Sequence, residues 1–139
     1  MAALFPFEVH TPYRHFYSDR VEAVILTLAD GEAAVYAGHS AFTAPVNTGF
    51  LKIKDKEGNW KTAFISEGIV EVKEHKTVLM SEAAEWPDEI DYQRAKDAKD
   101  RAEEIILTGG MKFETDKAAA SLRRAQYRIK VWEAAKKGS

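Results

Sequence analysis

A chain of 139 residues has room for one domain or two small ones, which excludes a large multidomain enzyme. With 45% hydrophobic and 30% charged residues, 8 Gly and 4 Pro, it carries enough apolar material for a core and lacks the bias of a disordered or collagenous chain. The absence of cysteine removes disulfides, thiol catalysis and thiolate metal sites, and a net charge of −2 argues against a general nucleic-acid binder, whose affinity rests on many phosphate-neutralising Lys and Arg.

No apolar run reaches the ~18–20 residues of a membrane span, and the opening MAALFPFEVHTPYR lacks the basic flank and apolar stretch of a signal peptide. The expectation is a chain that stays where it is made. Its charge is unevenly spread: residues 82–107 are acidic, and the end from 116 onward is basic.

Up to about Glu82 the sequence reads as short β-type runs: Phe5–His10, Val21–Leu28, Glu32–Tyr36, Gly49–Lys54, Trp60–Ser66, Ile69–Val72 and Thr77–Met80. Asp30-Gly31, Glu57-Gly58-Asn59, Glu67-Gly68 and Glu74-His75-Lys76 supply turn signals, and antiparallel meanders are the simplest connection. Leu51 and Ile53 alternate with Lys52 and Lys54, and Val70 and Val72 with Glu71 and Lys73, so each strand turns one face to a core. Lys52, Lys54 and Lys56 then form a solvated strand face.

At Trp86-Pro87-Asp88 the period changes from strand to helix. Asp88 is expected to cap a helix that runs to Leu107, with Ala95, Ala98 and Ala102 on one face. Thr108-Gly109-Gly110 stops it, because glycine readily takes the left-handed conformation of a C-cap. A second helix, expected from about Thr115 or Asp116, carries Ala118, Leu122, Ala125, Ile129 and Trp132 at spacings of three and four. Two helices and a short joint make an antiparallel hairpin. Its alanine seam buries little apolar area, so either the helices attract each other weakly and the hairpin can open, or the seam is that of an ordinary close-packed helical pair.

The chain contains no GxxxxGK[ST], GxGxxG, HExxH or GxSxG motif, and Gly109-Gly110-Met111-Lys112 lacks both a preceding strand and a hydroxyl after the Lys. His10, His15, His39 and His75 are scattered without ligand spacing, so neither a catalytic centre nor a metal site is expected. One constellation remains. Arg94 and Arg101 lie one heptad apart on the first helix, and Arg124 and Arg128 four apart on the second. Either they pair with Asp97, Asp100, Glu103 and Glu104, or they gather around a polyanion such as a nucleoside triphosphate. In the second case Glu85 and Asp91 can accept from an adenine amino group, and Ile90 offers an apolar contact to the ring.

The order of these features resembles the ε subunit of F-type ATP synthases along almost the whole chain. Val9-His10-Thr11-Pro12, Tyr17, Gly31-Glu32, Gly38-His39, Pro45, Gly49 and Glu67-Gly68-Ile69-Val70-Glu71-Val72 are similar to landmarks of the family's β-rich half. Ile90-Asp91-Tyr92-Gln93-Arg94-Ala95 fits its I/L-D-x-x-R-A nucleotide motif, followed by Arg101-Ala102-Glu103 and by Arg124-Ala125 with Arg128. The resemblance implies an α+β architecture, with an N-terminal antiparallel β-sandwich of ten strands over residues 1–86 that binds the rotor, and a C-terminal antiparallel helical hairpin over 87–139 that regulates.

It also implies a subunit with no active site of its own, in contact with the γ subunit and the c-ring. The hairpin would extend into the catalytic α and β subunits to block ATP hydrolysis, with the complex peripheral on the cytoplasmic face of the cell membrane. Regulatory ATP, with no metal required, would be held by Glu85, Ile90, Asp91, Arg94, Ala95, Arg101, Arg124 and Arg128. The competing reading is a nucleic-acid-binding β-barrel or scaffold with a helical interaction tail, using Lys52, Lys54, Lys56 and Trp60 as a basic, stacking surface.

Overall fold

A computed structural model describes residues 3–138 and divides the chain into two compact units, Met1–Trp86 and Pro87–Ser139. The first contains eight strands: β1 (Phe5–His10), β2 (His15–Leu28), β3 (Gly31–Tyr36), β4 (Phe42–Asp55), β5 (Trp60–Ile65), β6 (Gly68–Val72), β7 (Thr77–Ser81) and β8 (Ala84–Glu85). They are hydrogen-bonded in the order β3-β2-β1-β7-β6-β4-β5-β8, with an added pairing of β2 to β4.

The meander expected from the turns gives way to a more interlaced topology. β2 and β4 are each 14 residues long, longer than the runs Val21–Leu28 and Gly49–Lys54 suggested. The first part of β2 pairs with β1, and its continuation from Ala23 lies between β3 and β4. β4 likewise pairs with β6 over Phe42–Val46 and with β5 over Gly49–Lys54. The β2–β4 register shifts between Val21 and Ala23 and again between Leu26 and Leu28, the kind of irregularity that lets a long strand bend. Counting both halves of β2 and β4, ten segments form the two layers of a sandwich. One pairing is parallel, Phe7–His10 of β1 against Thr77–Met80 of β7, and the rest are antiparallel.

The alternation read from the sequence sets the core. Leu51, Ile53 and Val70 are fully buried and Val72 nearly so, while the residues between them face outward or are half-buried. Phe7, Val9, Val24, Leu26 and Leu79 complete the interior. Tyr17 is packed against this core with its hydroxyl buried and unbonded, and burial pushes its pKa up to about 12. The Asp30-Gly31 and Gly58 turns form as expected, with Gly31 and Gly58 at φ +123° and +85°. Asp55, 6% exposed, builds the second of these turns by accepting from the backbone N–H groups of Glu57 and Asn59.

Glu67-Gly68 behaves differently. Gly68 already belongs to β6 and pairs with both Ser81 and Val46. Its role is to permit close approach, because a methyl group there would land on the Met80 carbonyl oxygen and 2.8 Å from Ser81 Cα.

The second unit opens with one 3-10 turn, Pro87–Glu89, followed by α1 (Tyr92–Thr108) and α2 (Lys112–Lys137). Asp88 lies within that turn, and the cap is Asp91, whose Oδ1 accepts from the Arg94 backbone N–H at 3.1 Å. Pro87 therefore starts the short turn and not the long helix. Gly109 ends α1 in the left-handed region at φ +66°, as its position promised. The second helix begins earlier than Thr115, because Met111 caps with its backbone alone: its carbonyl accepts from the N–H groups of Glu114 and Thr115. Thr115 sits inside the helix with its hydroxyl donating to the Lys112 carbonyl at 3.0 Å.

Candidate functional site

The two helices are antiparallel and meet along small side chains. Ala95 and Ala102 of α1 and Ala118, Ala125 and Val131 of α2 are buried, and the expected Trp132 is half-buried and meets α1 through the Tyr92 ring. Close packing of alanines brings the backbones near each other and leaves longer side chains to flank the seam. Near the joint this produces a groove of about 380 Å³, lined by Ala98, Arg101, Ala102 and Ile105 from α1 and by Phe113, Glu114, Lys117, Ala118 and Ser121 from α2.

Of the arginines singled out in the sequence, Arg101 lines this groove. Arg124 is half-buried and its Nη2 donates at 3.2 Å to Oγ of Ser121, a residue that also lines the groove. Arg128 is half-buried one turn further along α2, and Arg94 is exposed one heptad before Arg101. The alternative pairing with helix-surface acids is not formed by Arg94 or Arg101 among the described residues. Asp97 instead accepts from Gln93 Nε2 at 3.0 Å. A guanidinium without a carboxylate partner keeps its fork of donors for phosphate.

Asp91 spends one oxygen on the cap, and a carboxylate retains further acceptor sites. Ile90 and Ala95 are buried, at 6% and 4% exposed. Glu85 is held by the sandwich: it ends β8, paired with Phe64 of β5. Lys117, Ser121 and Phe113 were not visible as groove residues in the sequence. A helix start placed at Thr115 leaves Phe113 in a loop, and Ser121 passes unnoticed behind three alanines, although it stands one turn before Arg124 on the same face.

The sandwich lysines are occupied otherwise. Lys54 pairs with Glu22 at 3.2 Å, Lys56 with Asp19 at 3.5 Å and Lys61 with Asp55 at 3.8 Å, while Lys52 lies 5.8 Å over the Phe50 ring. Such interleaved charge is a solvated strand face and a poor track for a phosphate backbone. Among the described residues no group of His, Asp and Glu is arranged to hold a metal ion, and no helix is long and apolar enough to cross a membrane.

An interlaced β-sandwich followed by an alanine-seamed hairpin is the two-part plan of a small ATP synthase subunit. Residues 4–87 match the family model described as the ATP synthase Delta/Epsilon chain beta-sandwich domain, and residues 88–133 the model of the long alpha-helix domain of the same chains. The chain belongs to the ATP synthase delta/epsilon family, among the epsilon chains of bacterial type.

It is 45% identical over 132 residues to the ATP synthase epsilon chain of Caldanaerobacter subterraneus, covering 94% of this chain and 95% of that one. It is 41% identical over 136 residues to that of Caldicellulosiruptor saccharolyticus, covering 98% of each. The fold is similar to that of a chain in the mitochondrial ATP synthase of Euglena gracilis, with a TM-score of 0.81 at 19% identity over 97% of this chain and 82% of that one. It is also similar to a chain in the central stalk and c-ring structure of Tetrahymena thermophila, with a TM-score of 0.58 at 14% identity over 96% and 97%.

Proposed function

We propose that this chain is a non-catalytic rotor subunit of an F-type ATP synthase. In this reading the sandwich attaches to the γ subunit and c-ring, coupling proton translocation to ATP synthesis, and the hairpin restrains ATP hydrolysis when it extends toward the α and β subunits. The complex places the chain peripherally at the cytoplasmic face of the cell membrane. Near full-length similarity to named epsilon chains supports the subunit assignment, and the central-stalk setting of a chain with the same fold supports the rotor position.

The regulatory ligand is ATP. The observation that carries this reading is the groove between the helices, lined by Arg101, Lys117 and Ser121, the last of which accepts from Arg124 Nη2. Because the phosphate-binding cations come from both helices, ATP holds only the closed hairpin and shifts the population toward it by its differential affinity for the two forms. Arg94 and Arg128 extend the same cationic lining, while Ile90, Asp91 and Ala95 take the base.

Isothermal calorimetry on the full chain tests the site. Arg94→Ala or Arg124→Ala removes a charge-assisted contact worth ~1.5–3 kcal/mol, roughly ten- to a hundredfold in affinity, whereas Lys56→Ala on the sandwich leaves binding unchanged. Equal binding by the wild type and both arginine variants, or none by the wild type at millimolar ATP, overturns the site and leaves the rotor role standing. The inhibitory role has its own readout in the assembled complex. Removing residues 111–139 deletes the basic helix that acidic catalytic surfaces would attract. ATP hydrolysis is expected to rise, and an unchanged rate defeats the inhibitory assignment.

A further inference from the structure

The hairpin is not evenly fastened along its length. At one end the helices are tied covalently through Gly109–Met111, and along the middle they touch through alanines, each of which removes little apolar area from water. At the other end the start of α1 at Tyr92 and the last turn of α2 before Lys137 are joined by no loop. A helix anchored at one end leaves its partner from the other, so whatever stands at that free end controls separation.

There the small-residue pattern stops. The Tyr92 ring at the start of α1 stacks on the Trp132 ring near the end of α2, with centroids 4.0 Å apart and planes 17° from parallel. The Tyr92 hydroxyl donates to Glu133 Oε2 at 3.0 Å, and this hydrogen bond holds the phenol above its ordinary pKa so that it remains a donor. Lys96 Nζ lies 5.3 Å over the Tyr92 ring and Lys136 Nζ 5.1 Å over Trp132. Each lysine follows its aromatic by four residues, one helical turn. Two aromatic rings in contact bury far more area than an alanine pair, and their stacking adds an attraction beyond that area.

We infer that Tyr92 and Trp132 form an aromatic clasp that holds the free end of α2 against α1, so that release of this stack is the first step by which the hairpin opens. The clasp acts without any ligand and sets how often the hairpin is open before one arrives. The arginine groove lies toward the joint, but Asp91 and Arg94 of the proposed nucleotide site flank Tyr92, so the clasp is read without nucleotide.

The chain has no cysteine, so Asp100→Cys and Arg123→Cys, both at exposed positions, supply two unique spin-label sites on the full-length protein. Pulsed electron–electron resonance without nucleotide then reads the distance between the helices. In this background Tyr92→Leu and Trp132→Leu each raise the open population roughly two- to tenfold. The double variant is expected to gain little over either single one, because the second change removes a contact already lost. Tyr92→Phe, which keeps the stack, remains close to the parent. Complete loss of the short distance in a leucine variant also supports the clasp, provided that circular dichroism still reports both helices. Distance distributions identical to the parent, or single effects that multiply in the double variant, overturn it.

Discussion

Phe7→Ala is expected to destabilise the sandwich by about 3–5 kcal/mol, the usual range for removing a fully buried aromatic ring. Phe7 has no solvent exposure and lies on β1, the strand hydrogen-bonded on one side to β2 and on the other, in parallel, to β7. Its ring stands 6.1 Å from that of Tyr17, so truncation opens a cavity beside a buried hydroxyl that already lacks a partner. A urea melt followed by far-UV circular dichroism measures the cost. A midpoint within experimental error of the wild type would mean that the two layers close over the gap, and that this part of the core is less tightly packed than its burial implies.

Gly68→Ala adds only one methyl group and is expected to cost about 1–3 kcal/mol or more. The new carbon meets the Met80 carbonyl and Ser81 Cα, both backbone, so no side chain can swing aside to receive it. β6 would have to shift away from β7 while still bonded to β4 on its other edge. Gly138→Ala at the end of α2 is the matched control, since its methyl would lie 3.4 Å from the nearest atom. Thermal unfolding of the two variants should separate by several degrees. Equal melting temperatures would show that the β6–β7 ladder yields easily.

What the sequence revealed depended on how local the signal was. Strand faces such as Leu51 and Ile53 against Lys52 and Lys54, the left-handed stop at Gly109 and the alanine seam are written within one or two turns of chain, and each appears in the structure. The helix cap was read three residues early because Asp88 and Asp91 both suit the role, and only the intervening 3-10 turn decides between them. The parallel pairing of β1 with β7 and the double duty of β2 and β4 join residues far apart in the chain, where periodicity carries no information.

The candidate site followed the same rule. The four arginines and Asp91 stand out by spacing and motif, while Ser121, which links Arg124 to the groove, and the Tyr92–Trp132 stack depend on how two helices meet.

For the rotor subunit proposed above, the passage of β2 and β4 through both layers has a mechanical consequence. Two sheets joined only by loops can slide over each other under torque, the load falling on side-chain contacts that re-form at low cost. Here two unbroken backbones cross from layer to layer, and their mutual pairing runs from Val21–Asp55 to Leu28–Val46. That ladder lies within one layer, between the β2 and β4 segments that also pair with β3 and β5, so sliding one layer against the other loads the two backbones where they cross. Such an element resists twist as a stiff washer does, with little angular play before it yields.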